Sequence, residues 1–226
     1  MVDSPKVPTE VRCGGTLIGQ DWVLTAAECQ HPKLVALLGQ GSDLSKREKF
    51  DVKKQYIYKD TKGQHGVMLL HLKRSRFMKF FKISAKYQVL GLPPKDQCHS
   101  PQVGATVQMV GYKEAGLAVE PSTFLSSSTT GPTPACVRLS VAECPDFSGY
   151  KDKKIELDKA FSYTEMVCAG TESDNTCSGA AGGGMVYNSM VYGVVKGSTK
   201  ASCSGPIKFT SICPYRDWIL KTRGKK

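Results

Sequence analysis

An all-β architecture of sandwich or barrel type, ended by one short helix, is what this sequence of 226 residues predicts. Two observations carry that prediction. Short runs of β-branched and aromatic residues recur along the chain with turn signals between them, and helical periodicity is almost absent before the C-terminus. A third bounds it: 40% hydrophobic and 23% charged residues supply enough apolar material for a sizeable core in one large or two small units.

In the first half the runs fall at residues 11–18, 22–26, 34–38, 50–58 and 67–72. In the second they fall at 105–110, 136–141, 166–168, 185–187, 192–195 and 209–212. Each has the length of a strand, and its side chains suit a pleated, half-buried surface. The period changes at the end. Pro214 sets the first turn of a helix over 215–221, in which Tyr215, Trp218, Ile219 and Thr222 share one face. Lys221, Arg223, Lys225 and Lys226 suit the negative end of its dipole. Residues 90–101, with Pro93 and Pro94, read as a linker, and 122–134, rich in Ser, Thr, Gly and Pro, as an exposed loop. The chain thus divides into an N-terminal unit over 1–90, an interdomain segment over 91–104 and a C-terminal unit over 105–226.

Composition excludes several classes. With 22 Gly and 12 Pro the chain is neither collagen-like nor of low complexity. No apolar run approaches the roughly 18–20 residues of a membrane-spanning helix, and the first residues lack the apolar core of a secretory signal. Charge is the informative quantity: 31 Lys and Arg against 20 Asp and Glu leave +11, and the stretch from Lys46 to Lys86 carries +10 of it. Its Lys46, Arg47, Lys49, Lys53, Lys54, Lys73, Arg74, Arg76, Lys79, Lys82 and Lys86 are candidate polyanion-binding residues. The alternative is a solvated basic face that keeps the chain in solution. The nine cysteines show no metal-site spacing, so neither a metal nor another cofactor is expected. They point to a secreted, disulfide-bonded protein whose signal peptide is not in this chain, and their odd number leaves at least one thiol over.

Cys13-Gly14-Gly15-Thr16-Leu17-Ile18, then Trp22-Val23-Leu24-Thr25-Ala26-Ala27 before Cys29, occur ahead of Val67-Met68-Leu69-Leu70-His71-Leu72. Cys177-Ser178-Gly179 with Gly182-Gly183, and Asp217-Trp218-Ile219, follow in order. Together these motifs resemble the trypsin-like serine proteases. The resemblance implies two six-stranded antiparallel β-barrels, packed face to face, with a short C-terminal α-helix. It also implies the disulfides Cys13–Cys29, Cys98–Cys213, Cys144–Cys168 and Cys177–Cys203. Another family bridge would join the positions of Val107 and Tyr187, where both partners are missing together. Cys136 matches a cysteine that pairs near the start of family chains, and here it is left as a free thiol.

In such a fold a serine oxygen attacks, a histidine accepts its proton and a buried aspartate holds the histidine. At the matching positions this sequence has Ala181, Glu28 and Gly66. Glu28 can serve as a base, but the methyl group of Ala181 has no proton to give up. Ser178 lies on the other arm of its turn, and His65 is expected to face away from Gly66 across the strand. Loss of the nucleophile of such a triad costs about a millionfold in rate. The aspartate that secures a newly cut N-terminus in the family is Ala180 here, so the loop at Gly179 is not expected to form an oxyanion-binding shape. The charged base of a trypsin pocket aligns with Asn175, and a glycine of its wall with Ile207, whose branched side chain would fill it. Read without the resemblance, Asn175 is a surface loop residue and Ile207 a core residue.

The expected function is therefore that of a secreted, non-enzymatic protein that binds a polyanion: heparin, heparan sulfate or another anionic glycan, lipopolysaccharide, or an acidic protein surface. The alternative is a decoy or regulator that engages protease partners or inhibitors without cleaving. Specific nucleic-acid binding is not expected, because charge alone favours it.

Overall fold

The computed structural model describes residues 13–39, 47–73, 86–113, 133–144, 166–170, 181–196 and 207–224. In them the predicted succession of strands resolves into two sheets. β1 (Thr16–Leu17), β2 (Trp22–Ala26), β3 (Val35–Leu38), β4 (Glu48–Asp60) and β5 (Gly63–Leu72) form an antiparallel sheet in the order β1-β2-β5-β4-β3. β6 (Thr106–Lys113), β7 (Thr133–Ala142), β8 (Met166–Gly170), β9 (Gly184–Tyr187), β10 (Met190–Val195) and β11 (Ile207–Ser211) close into a barrel, β10-β11-β8-β7-β6-β9. The second unit is the expected six-stranded barrel. The first, among the described residues, is a curled half-barrel of five strands rather than six. Among the described residues β1 pairs with β2 through Thr16 and Leu17, and β3 pairs with β4.

The central strands are largely apolar where both their faces are covered. β2 is buried at every position, and Val67, Met68 and Leu69 of β5 are fully buried. β4, nearer the edge, buries Phe50 and exposes Lys49 and Asp51 beside it, which is the alternation of a half-covered strand. The core of the second unit gathers Val107, Met109, Leu139, Val141, Met185 and Phe209, with Tyr187 packed against it. Val107 and Tyr187 thus meet in an apolar cluster where the resemblance would have placed a bridge. Pro134, expected in a loop, opens β7 opposite Tyr112; proline is tolerated near the first residue of a strand. Thr133 begins the same strand opposite Lys113, and residues 122–132 of that expected loop lie outside the described residues.

The C-terminal element fits its predicted face. A 3-10 turn, Cys213–Tyr215, leads into α1 (Arg216–Arg223). Tyr215, Ile219 and Thr222 are almost wholly buried, and the Trp218 ring stands edge-on to Tyr58 at 5.4 Å. Burying this face places α1 on the first sheet, whose core includes Tyr215 and Ile219. The Cys98–Cys213 disulfide and a hydrogen bond from Arg216 Nε to the Pro93 carbonyl (2.7 Å) tie the start of the helix to the segment between the two units. Gly91 joins the same segment to β10 through a bridge to Met190.

Candidate functional site

The site is built around a 3-10 turn, Ala27–Cys29, that continues from β2. Cys29 is bonded to Cys13, so the entry to β1 is tied to the exit from β2. Gly14 donates its N–H to the Ala181 carbonyl at 2.7 Å. The Cys29 Sγ lies 3.8 Å from the same oxygen. Ala181 is thereby held against the disulfide of the first unit. On its other side Gly182 donates to the Val195 carbonyl at 2.9 Å, and Val195 donates back to Gly183 at 2.8 Å. Gly182 has φ of 83°, in the left-handed region. A Cβ there would collide with Thr25 Oγ1 and the Gly14 carbonyl. Buried Thr25 donates its hydroxyl to that carbonyl at 2.8 Å.

Glu28 stands exposed on the turn next to Cys29, and Gly66 in β5 adjoins Val67, the register partner of Ala26. Three elements distant in sequence therefore bring Glu28, Gly66 and Ala181 to one junction. Its chemistry is limited by what these residues carry: a surface carboxylate, no side chain, and a methyl group. The hydroxyl of Thr25 is committed to the Gly14 carbonyl and covered by Gly182.

His65 is buried away from this junction. Its Nε2 is 2.9 Å from Asp60 Oδ2, and its Nδ1 is 2.8 Å from the Tyr215 hydroxyl. An ionised carboxylate only accepts, so Nε2 presents its N–H to Asp60 while Nδ1 pairs with the Tyr215 hydroxyl. The ring of Tyr58 stands edge-on at 4.9 Å. The hydrogen bond from His65 holds the Asp60 carboxyl below its ordinary value. His65 is thus part of the surface on which α1 docks. A second histidine, His71, stacks on Trp22 (4.4 Å between centroids) with Nε2 3.3 Å from Asp21 Oδ2. Neither arrangement has a local signature, because each partner lies far away in sequence or on another strand.

Ile207 is half-buried in β11 opposite Ala169 and packs against the core of the barrel. Cys144–Cys168 is formed, as are the two bridges described above. Cys136 lies in β7 opposite Val110, its side chain outside the described set. Asn175, Cys177, Gly179, Ala180 and Cys203 lie outside the described residues, as do Lys46, Arg74, Arg76, Lys79 and Lys82.

The basic face is narrower than its composition predicts. Lys49, Lys53, Lys54 and Lys73 are exposed, but Arg47 is only 7% exposed. The Lys86 ammonium lies 2.8 Å from Glu48 Oε2, which also accepts the Tyr87 hydroxyl at 2.7 Å. These two bonds, that from Lys86 first, hold the Glu48 carboxyl below its ordinary value. Burial removes Arg47 from the open face, and the local carboxylate occupies Lys86. Lys59 and Lys62, at the β4–β5 hairpin, are exposed.

The sequence model of the Trypsin family matches residues 4–219. Kallikrein-8 of Rattus norvegicus is 29% identical over 95% of this chain and 78% of its own length. The thrombin-like enzyme elegaxobin-1 of Protobothrops elegans is 28% identical over 93% of this chain and 85% of its own. Among solved structures, neuropsin, a serine protease expressed in the limbic system of mouse brain, aligns with a TM-score of 0.66 at 26% identity, covering 95% of this chain and 90% of that one. A mutant of human heparin binding protein (CAP37) aligns with a TM-score of 0.67 at 22% identity over 98% and 90% of the two chains, a likeness of fold.

Proposed function

Since the chain belongs to the trypsin family of serine proteases, we propose that it is a secreted, non-catalytic member that binds polyanions. One observation carries the non-catalytic half. Ala181 is fixed by the Gly14 N–H and the Cys13–Cys29 bridge at the junction it shares with Glu28 and Gly66, and its side chain ends in a methyl group. Peptide cleavage by nucleophilic attack needs an oxygen or sulfur there, a base beside it and a group to orient the base. The disulfides support secretion, since such bonds persist in oxidising compartments.

The binding half rests on charge. Nearly all of the net +11 comes from the stretch between Lys46 and Lys86, and Lys49, Lys53, Lys54, Lys59, Lys62 and Lys73 are exposed on or beside β4 and β5. A field concentrated on one face draws a polyanion more strongly than the same charge dispersed. A protein named for heparin binding shares the fold, which lends the reading support.

Heparin chromatography tests it. Retention beyond about 0.3 M NaCl is expected, because roughly 0.15 M salt already shortens the reach of a surface charge to about 8 Å. Earlier elution overturns the binding half. A fluorophosphonate probe and a broad panel of fluorogenic peptides should both stay silent; turnover that co-purifies with the chain overturns the other half.

A further inference from the structure

Side chains alternate between the faces of a strand, so Lys49 and Lys53 should share one face of β4 and Lys54 the opposite one. Between Lys49 and Lys54 the ladder to β5 breaks that rule. Val52 lies opposite Leu72 and Lys54 opposite His71, which makes Lys53 the extra residue of a β-bulge. The bulge resets the phase, and Lys53 and Lys54 are both exposed while Phe50 and Leu72 stay in the core. Lys73 donates its N–H to the Asp51 carbonyl at 2.8 Å and is exposed beside it. At about 3.3 Å per residue, Lys49 and Lys54 stand about 16 Å apart along β4, with Lys73 about 5 Å to the side.

The patch has an aromatic floor. The Lys54 ammonium lies 4.9 Å from the Tyr56 ring, and Tyr56 is 5.6 Å from Trp22. Among the described residues Asp51 is the exposed carboxylate beside these lysines; Asp21 is engaged by His71 and Glu48 by Lys86. Among the described residues the exposed large hydrophobic side chains are Val103 and Leu220, neither of them on β4 or β5. A lipid surface takes apolar side chains as well as charge, and a protein interface takes an apolar centre. A sulfated polysaccharide requires neither.

We infer that a segment of sulfated polysaccharide binds across β4 and β5 on Lys49, Lys53, Lys54 and Lys73, with its anionic groups placed to either side of Asp51. This rests on the polyanion reading above and narrows it to one patch and one class of partner.

The test uses the whole chain, a length-graded series of heparin oligosaccharides and titrations at several salt concentrations. Lys53→Glu, Lys54→Glu and Lys73→Glu should each weaken binding about tenfold, the effect of turning an attractive surface contact into a repulsive one. Lys95→Glu, remote and exposed, should change it less than about twofold. Asp51→Asn should strengthen binding severalfold. By analogy with single-stranded nucleic acids, the plot of log affinity against log salt should level off at a slope of about 3, as four lysines require. Heparin retention that is indifferent to these substitutions, or a slope that climbs steadily with oligosaccharide length, overturns the patch and leaves the polyanion reading standing. Tighter binding to lipopolysaccharide vesicles than to heparin overturns the choice of partner. If the unaltered chain is not retained on heparin at all, it is the proposed function that fails. Circular dichroism of each variant separates lost binding from lost folding.

Discussion

Returning a hydroxyl to position 181 separates a missing nucleophile from a missing catalytic unit. The backbone there is already fixed, with the Ala181 carbonyl bound by the Gly14 N–H at 2.7 Å, so Ala181→Ser places its oxygen without rebuilding the loop. Triad members act as a unit: loss of the nucleophile or the base costs about 10⁶ in rate, and loss of the carboxylate about 10⁴. Ala181→Ser alone should therefore gain less than about tenfold over background. Adding Glu28→His supplies a base without its orienting partner and should return about 10², or about 3 kcal/mol of barrier. Gly66→Asp completes the set, but it places a carboxylate in a partly buried site beside fully buried Val67. Alone it should cost about 1–3 kcal/mol of stability, part of which Glu28→His should restore by supplying a counter-charge. Ala180 and Ile207 remain in all three variants, so activated esters rather than peptides are the suitable substrates. The assay is burst kinetics with a fluorogenic ester, alongside fluorophosphonate labelling and urea melts. Labelling of Ala181→Ser alone at the rate of a working peptidase would refute the reasoning, because a base and an orienting group would then already be present.

Tyr215→Phe keeps the ring contacts with Tyr58 and His65 but removes the hydroxyl paired with His65 Nδ1. A loss of about 1–2 kcal/mol is expected, a fall in Tm of about 2–8 °C by calorimetry; an unchanged Tm contradicts the assigned bond. Gly182→Ala forces a side chain into the left-handed region and against Thr25 and Gly14, and should cost about 2–5 kcal/mol in denaturant unfolding. Equal stability would mean that the clamp yields. Glu48 has its folded value held below the ordinary 4.5, so the stabilisation from Lys86 and Tyr87 is complete above that pH and is lost as pH falls through the folded value. With Lys86 67% exposed, solvent screens the pair and the effect is small. Lys86→Met should flatten the acid limb of stability in urea melts, and an identical limb in the variant counts against the pair.

What the sequence makes legible follows the range of the forces involved. Strand positions are local: β-branched and aromatic runs predict β2 at its observed bounds and locate the other strands to within a few residues. The helix face is equally local, because i, i+3, i+4 spacing alone decides which of Tyr215, Trp218, Ile219 and Thr222 turn inward. Closure of the first sheet is not local. It depends on which strands meet across the sheet, and the run at 11–18 does not tell that, among its described residues, the ladder to β2 runs through Thr16 and Leu17. At the candidate site, motif spacing identifies Glu28, Gly66 and Ala181. The clamp that holds Ala181 depends on the φ of Gly182 and on a hydroxyl of Thr25 from another strand, neither of which leaves a pattern.

Charge shows the same division most sharply. Composition places +10 between Lys46 and Lys86, yet net charge does not determine a surface field. Arg47 is withdrawn by burial, and Lys86 is taken up by a carboxylate 38 residues away. Lys53 and Lys54, which plain alternation would send to opposite faces, are brought together by a bulge that no glycine or proline announces. Two lysines of equal formal charge therefore stand in different surroundings. Lys86 is spent on stability within the first unit, whereas Lys53 is open to an incoming anion. The electrostatic character of this face is a property of strand pairing, and it can be read only once the ladder between β4 and β5 is known.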